Sequence, residues 1–444
     1  MRSRTTHPKT GMWRSQVQRM IRIGACALAA LLAVAPALGQ TPTITNLGVL
    51  PGGTASYANA VSADGKAVAG TSESTNGYRA FRWTAAGGMQ ILGTLQLGEL
   101  SSTYGDAISG DGSYVAGTSF AYGCDPKYGC SGTGDVVRWW AADGSVQVCG
   151  PHASFGPGLV FSVWGSGISF DGSSAASSSS IHTDIDNYTA AYRWTVAAGL
   201  ELLASHYSFL PAPPPTAANA INYSGSVVAG STQGRAFRWT DETGIEMLGV
   251  LPGTSYSWGV ATSGNGSALA GYCSQDSWGI TGYKAFRWTQ AGMQDLGVLV
   301  PGGSSVARGI SGDGLVVAGA DWYTAFLWTA DLGMVDLNTY LPSLGLNLTG
   351  WVLTDARGLN SDGSVIVGNG YYNNEARAWL VKIPRPGDVT GDGLVNVDDL
   401  HAVIAALGSC PSSPQPCPAD IAPPPHGNGV VNAQDILRVV HNFH

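Results

Sequence analysis

The sequence predicts an all-β fold, a seven-bladed β-propeller closed by an N-terminal strand, followed by a small α-helical module. Three observations lead there. A tryptophan recurs seven times, at Trp83, Trp139, Trp194, Trp239, Trp288, Trp328 and Trp379, with spacings of 56, 55, 45, 49, 40 and 51 residues. An Asp-Gly step or a close variant precedes each of them. A phrase missing from the last repeat stands ahead of the first. A period near 50 residues with four short apolar runs per unit is the signature of propeller blades.

One unit shows how each run becomes a strand. The Ala60-Val61-Ser62 run before Asp64-Gly65 is the first strand. That step predicts a hairpin turn, since Gly supplies positive φ at little cost. Ala67-Val68-Ala69-Gly70 is the second strand, with small residues where sheets crowd near an axis. Ala80-Phe81-Arg82-Trp83-Thr84 is the third. Two-residue periodicity puts Phe81 and Trp83 on one side, to fill the space between blades, and Arg82 on the other. That arginine recurs at Arg138, Arg193, Arg238 and Arg287. Its stem is expected to cover apolar surface and its head to meet a turn Asp or a carbonyl. Gly88-Met89-Gln90-Ile91-Leu92-Gly93 is the outer strand.

The seventh unit stops at Trp379-Leu380-Val381 without that outer phrase. Its counterpart, Thr43–Leu50, precedes the first unit and matches Met293–Leu299. In a closed ring this leading strand completes the last blade, and closure removes sheet edges that invite aggregation. A β-solenoid of the same repeats gains nothing from such a permutation, so the propeller is preferred over it.

Composition narrows the function. The chain has 444 residues, with 62 Gly, 14 Trp, 44% hydrophobic residues, 12% charged residues and a net charge of −8. This apolar and aromatic content argues against disorder. The low, negative charge argues against a nucleic-acid partner, which calls for a basic patch. Residues 1–39 read as a signal peptide: a basic stretch, an apolar run from Ile23 to about Ala35, and a small-residue site at Ala37-Leu38-Gly39. With it removed, the mature chain is expected to carry no membrane span and to lie outside the cell or on its surface. In that setting the close pairs Cys124/Cys130 and Cys410/Cys417 are disulfide candidates. Cys149 and Cys273 are expected to stay unpaired, Cys149 filling a core position.

The phrases Leu50-Pro51-Gly52-Gly53, Ser62-Ala63-Asp64-Gly65, Val68-Ala69-Gly70 and Ala80-Phe81-Arg82-Trp83-Thr84, with their counterparts in the other units, resemble the HAF-type extracellular repeats over nearly all of residues 41–383. The resemblance implies an exported protein and no defined activity. The third unit departs most, with Ser174-Ala175-Ala176-Ser177 in place of Val-Ala-Gly.

Residues 384–387 form a linker with Pro384 and Pro386, and 388–444 a separate module. Its first loop has the spacing of an EF-hand. Asp388, Thr390 and Asp392 take positions one, three and five, Leu394 offers its carbonyl at seven, and Asn396 and Asp399 stand at nine and twelve. A second loop would use Asp420, Asn428, Val430, Asn432 and Asp435, with Pro423-Pro424-Pro425-His426 inserted. Each loop is followed by a short apolar helix. The paired copies resemble a type I dockerin. The resemblance implies calcium binding and docking onto a cohesin-like or other cell-surface receptor. The receptor-contact positions are here Val397-Asp398 and Ala433-Gln434, not the usual Ser-Thr pair, so a sorting or surface-retention role stays open.

In a four-stranded meander alternate loops share a face. The second-to-third connection is long over 118–135 and 272–284 but short over 231–235 and 320–324. Variable loops on a fixed scaffold are where function concentrates. Tyr78, Tyr122, Tyr128, Tyr188, Tyr272, Trp278, Tyr283, Trp322, Tyr323 and Tyr371 make this face aromatic, and interblade loops are expected to add Tyr57, Tyr104, Trp164, Trp258 and Trp351. Such rings suit a glycan or an extended peptide. The reading that follows is a non-catalytic binding, adhesion or structural protein. The alternative is a polysaccharide-active enzyme, a hydrolase or lyase, although no two loop-face carboxylates share a diagnostic spacing.

Overall fold

The computed structural model describes residues 42–95, 100–125, 129–155, 160–182, 186–209, 215–276, 282–384, 387–390, 395–410, 417, 419–421 and 429–441. Cys124, Cys130 and Tyr122 are described in their backbone only. Seven antiparallel four-stranded sheets form the propeller, and in six of them the strands neighbour one another in chain order. The seventh takes its outer strand from the opposite end of the chain. Thr43, Ile44, Thr45 and Asn46 pair with Lys382, Val381, Leu380 and Trp379, so the ring is sealed as the displaced phrase predicts.

The first strand of each blade lies innermost. These strands are Ser56–Val61, Leu100–Ile108, Val160–Ile168, Ala217–Ile221, Tyr256–Thr262, Ser305–Ile310 and Trp351–Leu359. At their turn ends they surround one axial cavity of about 150 Å³, to which all seven contribute, among them Val61, Ile108, Ile168, Ile221, Ile310 and Leu359. The recurrent Phe and Trp fill the joints between blades, with Phe81, Phe237, Phe286, Phe326, Trp139 and Trp379 fully buried.

The Ser-x-Asp-Gly phrase builds a fixed turn. In the first blade the Ser62 hydroxyl donates to Asp64 Oδ1 (2.7 Å), the Lys66 N–H donates to the same oxygen (3.0 Å), and the Ala67 N–H donates to Ser62 Oγ (3.0 Å). Gly65 takes φ +71°, which a Cβ disfavours. The same set recurs around Asp111, Asp171 and Asp313. The residues beside these aspartates then link the blades. The N–H of Ala63 donates to Gly110 O (2.9 Å), Asp111 to Phe170 O (3.0 Å), Phe170 to Tyr223 O (2.8 Å) and Tyr223 to Gly264 O (3.0 Å). Gly264 donates to Gly312 O (2.9 Å), Asp313 to Ser361 O (3.2 Å), and Ser361 to Ala63 O (3.0 Å). One backbone hydrogen bond per joint thus closes a second ring, independent of the strand seal.

The repeated arginine reaches the same turns. Arg82 Nε donates to Gly112 O at 2.9 Å, Arg238 Nε to Gly266 O at 3.3 Å and Arg287 Nε to Gly314 O at 2.6 Å, each time the turn glycine of the next blade. Arg193 differs and pairs with Asp241 at 2.8 Å.

One expectation needs correction. The second-to-third connection of the second blade, read as a long loop over 118–135, is β-structure on both sides of 126–128, which lie outside the described residues: Tyr114–Asp125 pairs with Gly129–Trp140. The third blade's connection is likewise β-structure, Ser174–His182 pairing with Asp186–Thr195. Strand pairing is extended through residues whose composition reads as loop. A helix that the sequence did not predict, Leu337–Ser343 (α1), joins the sixth and seventh blades. Asp336 caps it by accepting from the Asn338 N–H, and Leu337 and Leu341 are fully buried.

The glycine of Val-Ala-Gly has a steric cause. A Cβ on Gly70 would lie 2.0 Å from Tyr57 O and 2.7 Å from the Phe81 ring. The next blade's Gly105 would in turn strike Gly70 O at 2.6 Å. Gly70→Ala is therefore expected to destabilise the propeller by about 1–3 kcal/mol, the usual range for overpacking, measured by chemical denaturation. Gly93→Ala, where a Cβ meets nothing within 4 Å, serves as the control.

Candidate functional site

Each inner strand carries a one-residue β-bulge at the same place, between 58 and 60, 105 and 107, 165 and 167, 218 and 220, 259 and 261, 307 and 309, and 356 and 358. Bulges re-aim side chains. The seven bulged residues are Asn59, Asp106, Ser166, Asn219, Val260, Arg308 and Arg357, each half-buried and each preceded by a buried small residue. They form a belt around the axial channel. One pleat further from the turns stand Tyr57, Tyr104, Trp164, Ala217, Trp258, Val306 and Asp355. The channel is thus apolar at its turn end, polar at its belt and aromatic towards the loop face.

This corrects the placement of five aromatics. Tyr57, Tyr104, Trp164, Trp258 and Trp351 sit on inner strands and not on interblade loops. Trp164 is 45% exposed and Tyr57 37%, whereas Trp258 is only 9% exposed because Tyr272 stacks on it at 4.9 Å. Tyr104 stacks on Tyr78 at 6.0 Å, and Tyr272 meets Tyr283 edge-on at 5.1 Å. Tyr78, Tyr272 and Tyr283 therefore buttress the channel mouth. Trp322, Tyr323 and Tyr371 are exposed, and Tyr188 is half-buried. Tyr128 and Trp278 lie outside the described residues, as does the Tyr122 side chain.

The belt carries charges that the repeat pattern did not reveal. Arg357 Nε donates to Asp355 Oδ2 at 2.7 Å, and Arg308 Nε lies 3.7 Å from Asp355 Oδ1. That Arg308 nitrogen and that Asp355 oxygen are both buried without a hydrogen-bond partner. Asn59 Nδ2 donates to Gly105 O at 2.9 Å and Asn219 Nδ2 to Gly259 O at 2.7 Å, so the amides link neighbouring blades. Desolvation by the surrounding blades pushes the Asp106 carboxyl up to about 7, outweighing the pull of Arg357 the other way. A small-x-small phrase in every repeat (Ala58-Asn59-Ala60, Gly105-Asp106-Ala107, Ala356-Arg357-Gly358) is the signal that would have located the belt.

The C-terminal residues fold into two matching halves. Asn396 caps Val397–Ala405 (α2) through a capping box. Asp399 is fully buried and accepts four hydrogen bonds, from the N–H groups of Val389 (2.8 Å), Thr390 (2.9 Å) and Asn396 (2.9 Å) and the Thr390 hydroxyl (3.0 Å). Burial pulls its pKa up, but these donors outweigh it and hold the carboxyl below its usual range. Asp435, at the start of Ala433–His441 (α3), repeats this with Ile421 N–H (2.6 Å) and Asn432 N–H (2.8 Å). The buried Asp420 accepts from the Gly429 N–H at 2.6 Å. Val395, Val403, Val431 and Val439 form the shared core, beside which Val430 pairs with Ser409 and Cys410 is bonded to Cys417. Asp388 is described, whereas Asp392, Leu394 and Asn428 lie outside the described residues. Cys124 and Cys130 face each other across their hairpin in backbone register. Cys149 and Cys273 are buried and free.

A raised carboxyl pKa sets the sign of a stability effect. Folded Asp106 holds its proton up to about pH 7, whereas the unfolded side chain loses it near 3.8. Its ionisation therefore costs the fold nothing below pH 3.8, and a penalty grows from there until it is complete above pH 7. Asp106→Asn is expected to raise the melting temperature at about pH 8 and to have less effect at about pH 4. The upper bound is about 4 kcal/mol, at about 1.36 kcal/mol per pKa unit, and solvent in the channel lowers it.

No family model matches the chain, and no curated protein matches it. Among solved structures, the chain is similar to an oligogalacturonate lyase from Vibrio parahaemolyticus at 11% identity, over 79% of this chain and 96% of that one, with a TM-score of 0.48. An oligogalacturonate lyase in complex with manganese gives 11% identity, 79% and 95% coverage and a TM-score of 0.46. TolB from Acinetobacter baumannii gives 15% identity, 63% and 61% coverage and a TM-score of 0.37. At these identities and scores the likeness carries nothing about activity. Among the described residues no helix is long and apolar enough to cross a membrane. The seven-bladed propeller itself follows from the strand pairing.

Proposed function

We propose that this is an exported, HAF-type repeat protein that binds saccharide at the aromatic mouth of its propeller and is held in place by a calcium-stabilised, dockerin-like module. The observation that carries the first half is the mouth itself. Trp164 and Tyr57 remain exposed on inner strands, while Trp258 and Tyr104 are braced by stacked tyrosines. Flat rings held at fixed angles above a polar belt suit a sugar, with its apolar faces and hydroxyl edges. Side chains on strands are held more rigidly than those on loops, so this mouth needs little ordering to bind.

The calcium half rests on the paired loops. Asp399 is buried at the centre of its loop, with Asn396 at the helix cap and Thr390 within hydrogen-bond reach. These oxygen-bearing residues suit a hard cation, with Asp388, Asp392 and the Leu394 carbonyl completing the loop's ligand pattern. Asp399 accepts four donors here, which uses about all the lone pairs of a carboxylate. Binding would turn the Thr390 hydroxyl from donor to ligand. In the second half Asp420, Asn432 and Asp435 supply the equivalent groups. The ion would cross-link each loop to its helix; the Cys410–Cys417 bond already ties the halves together. A cohesin-like or other surface receptor is the partner proposed for this module.

Glycan-array screening of the secreted chain tests the mouth. Binding that falls at least tenfold in Trp164→Ala and persists in Trp322→Ala supports it; loss only in the second moves the site to the loops. Hydrolysis or elimination of the bound glycan would favour the enzyme alternative. For the module, chelator is expected to lower the temperature at which α2 and α3 melt, and Asp399→Ala to remove that difference. Equal melting with calcium and with chelator overturns the calcium reading.

A further inference from the structure

The belt beneath the aromatic mouth has an uneven charge. Arg308 and Arg357 flank one carboxylate, Asp355, at 3.7 and 2.7 Å, so this cluster carries one positive charge in excess. The chain as a whole carries −8. Each guanidinium makes its closest approach to Asp355 through Nε. Their Nη atoms make no hydrogen bond to any described residue, and both side chains keep about a third of their surface open. Guanidinium groups so placed offer parallel N–H donors matched to a planar anion.

We propose that the channel belt receives the carboxylate of an acidic sugar, held by the Nη groups of Arg308 and Arg357 while its ring rests against Trp164 and Tyr57 above. This rests on the saccharide reading and names the sugar's charge. A monoanion balances the cluster's excess charge. A metal cation fits poorly, since Asp355 is already engaged by two arginines. From the other blades the belt is completed by Asn59, Asp106, Ser166, Asn219 and Val260, with Tyr57 and Tyr104 among the residues one pleat above. Of these belt residues only Asp106 carries an acidic or basic side chain.

Asp106 adds a sign that experiment can read. Protonated, it donates a hydrogen bond to an anion; ionised, it repels one. The preference for acid over neutral sugar is therefore expected to weaken from about pH 6 to about pH 8, and Asp106→Asn to hold it level.

The test is calorimetric titration of the full chain with cellobiouronate and with cellobiose, its match lacking only the carboxylate. At least tenfold tighter binding of the acid, about 1.4 kcal/mol, supports the proposal if Arg308→Ala and Arg357→Ala each remove the preference. Because Arg357→Ala strips Asp355 of its partner, Arg357→Lys is measured as well; it keeps the charge without the fork and is expected to lose most of the preference. Equal binding of the two sugars, in a way that Trp164→Ala still weakens, overturns the carboxylate assignment and leaves the saccharide reading standing. Binding of neither, with no glycan bound on the array, overturns both. Glucose 6-sulfate binding as tightly as glucuronate, or an acidic peptide displacing the sugar, overturns the acidic-sugar assignment. A pH slope unchanged in Asp106→Asn removes Asp106 from the site.

Discussion

Seven strands crowding one axis impose the constraint on which the rest of this propeller depends. Near the axis, neighbouring backbones approach to within the width of a methyl group. Gly105 leaves 2.6 Å between a would-be Cβ and Gly70 O of the preceding blade, and Gly165 and Gly259 leave 2.7 and 2.8 Å to Gly117 O and Gly230 O. Small residues must therefore alternate along each inner strand, and the second strand must give up its side chain where the two meet. The bulge follows from the same crowding, because the extra residue bends the strand at its narrowest point. Blade three shows what departure costs: Ser177 stands where the others have Gly, and its hydroxyl is buried without a partner.

Because the constraint acts on backbones, most of the fold was legible in the sequence. The recurrent Trp, the Asp-Gly turns and Val-Ala-Gly are each a local solution to the same packing problem, so repetition exposed them. The seal was legible for the same reason, since a missing outer strand must be supplied from somewhere. What stayed hidden is what the constraint leaves free. The extended hairpins around Cys124 and Cys130 and the helix beginning at Leu337 have no counterpart in other repeats, so no internal comparison could reveal them. The aromatics Tyr57, Tyr104, Trp164 and Trp258 were visible as residues, but placing them on inner strands required the bulge register. The bulged residues were the least legible, because the variable x of a small-x-small phrase reads as noise until seven copies are aligned on one axis.

The C-terminal module relies on a different device. Its core is a handful of valines, too few for a robust fold, and small domains commonly need a metal or a disulfide to persist. Here Asp399 and Asp435 each gather the N–H groups of a loop around a buried carboxylate. Negative charge at a helix N-terminus is favourable, and although burial raises the Asp399 pKa, the hydrogen bonds from Thr390, Asn396 and Val389 hold it below the usual range. The same charge that organises the loop is the one on which the calcium proposal rests.

The charges of the belt differ from the rest of the propeller in that the fold does not call for them. Asn59, Ser166, Asn219 and Val260 occupy the same bulge as Asp106, Arg308 and Arg357, so the backbone geometry makes no demand for charge there. Placing ionisable groups inside the channel works against stability, as the raised pKa of Asp106 shows. The Arg308 nitrogen and the Asp355 oxygen, buried and without a hydrogen-bond partner at adjoining levels, point the same way. Such a cost is borne at sites where chemistry or recognition needs it. The four blades that fill the bulge with uncharged residues therefore serve as an internal control for the other three. By that comparison the charges are no requirement of how the propeller stands, which is the ground for the acidic-sugar proposal.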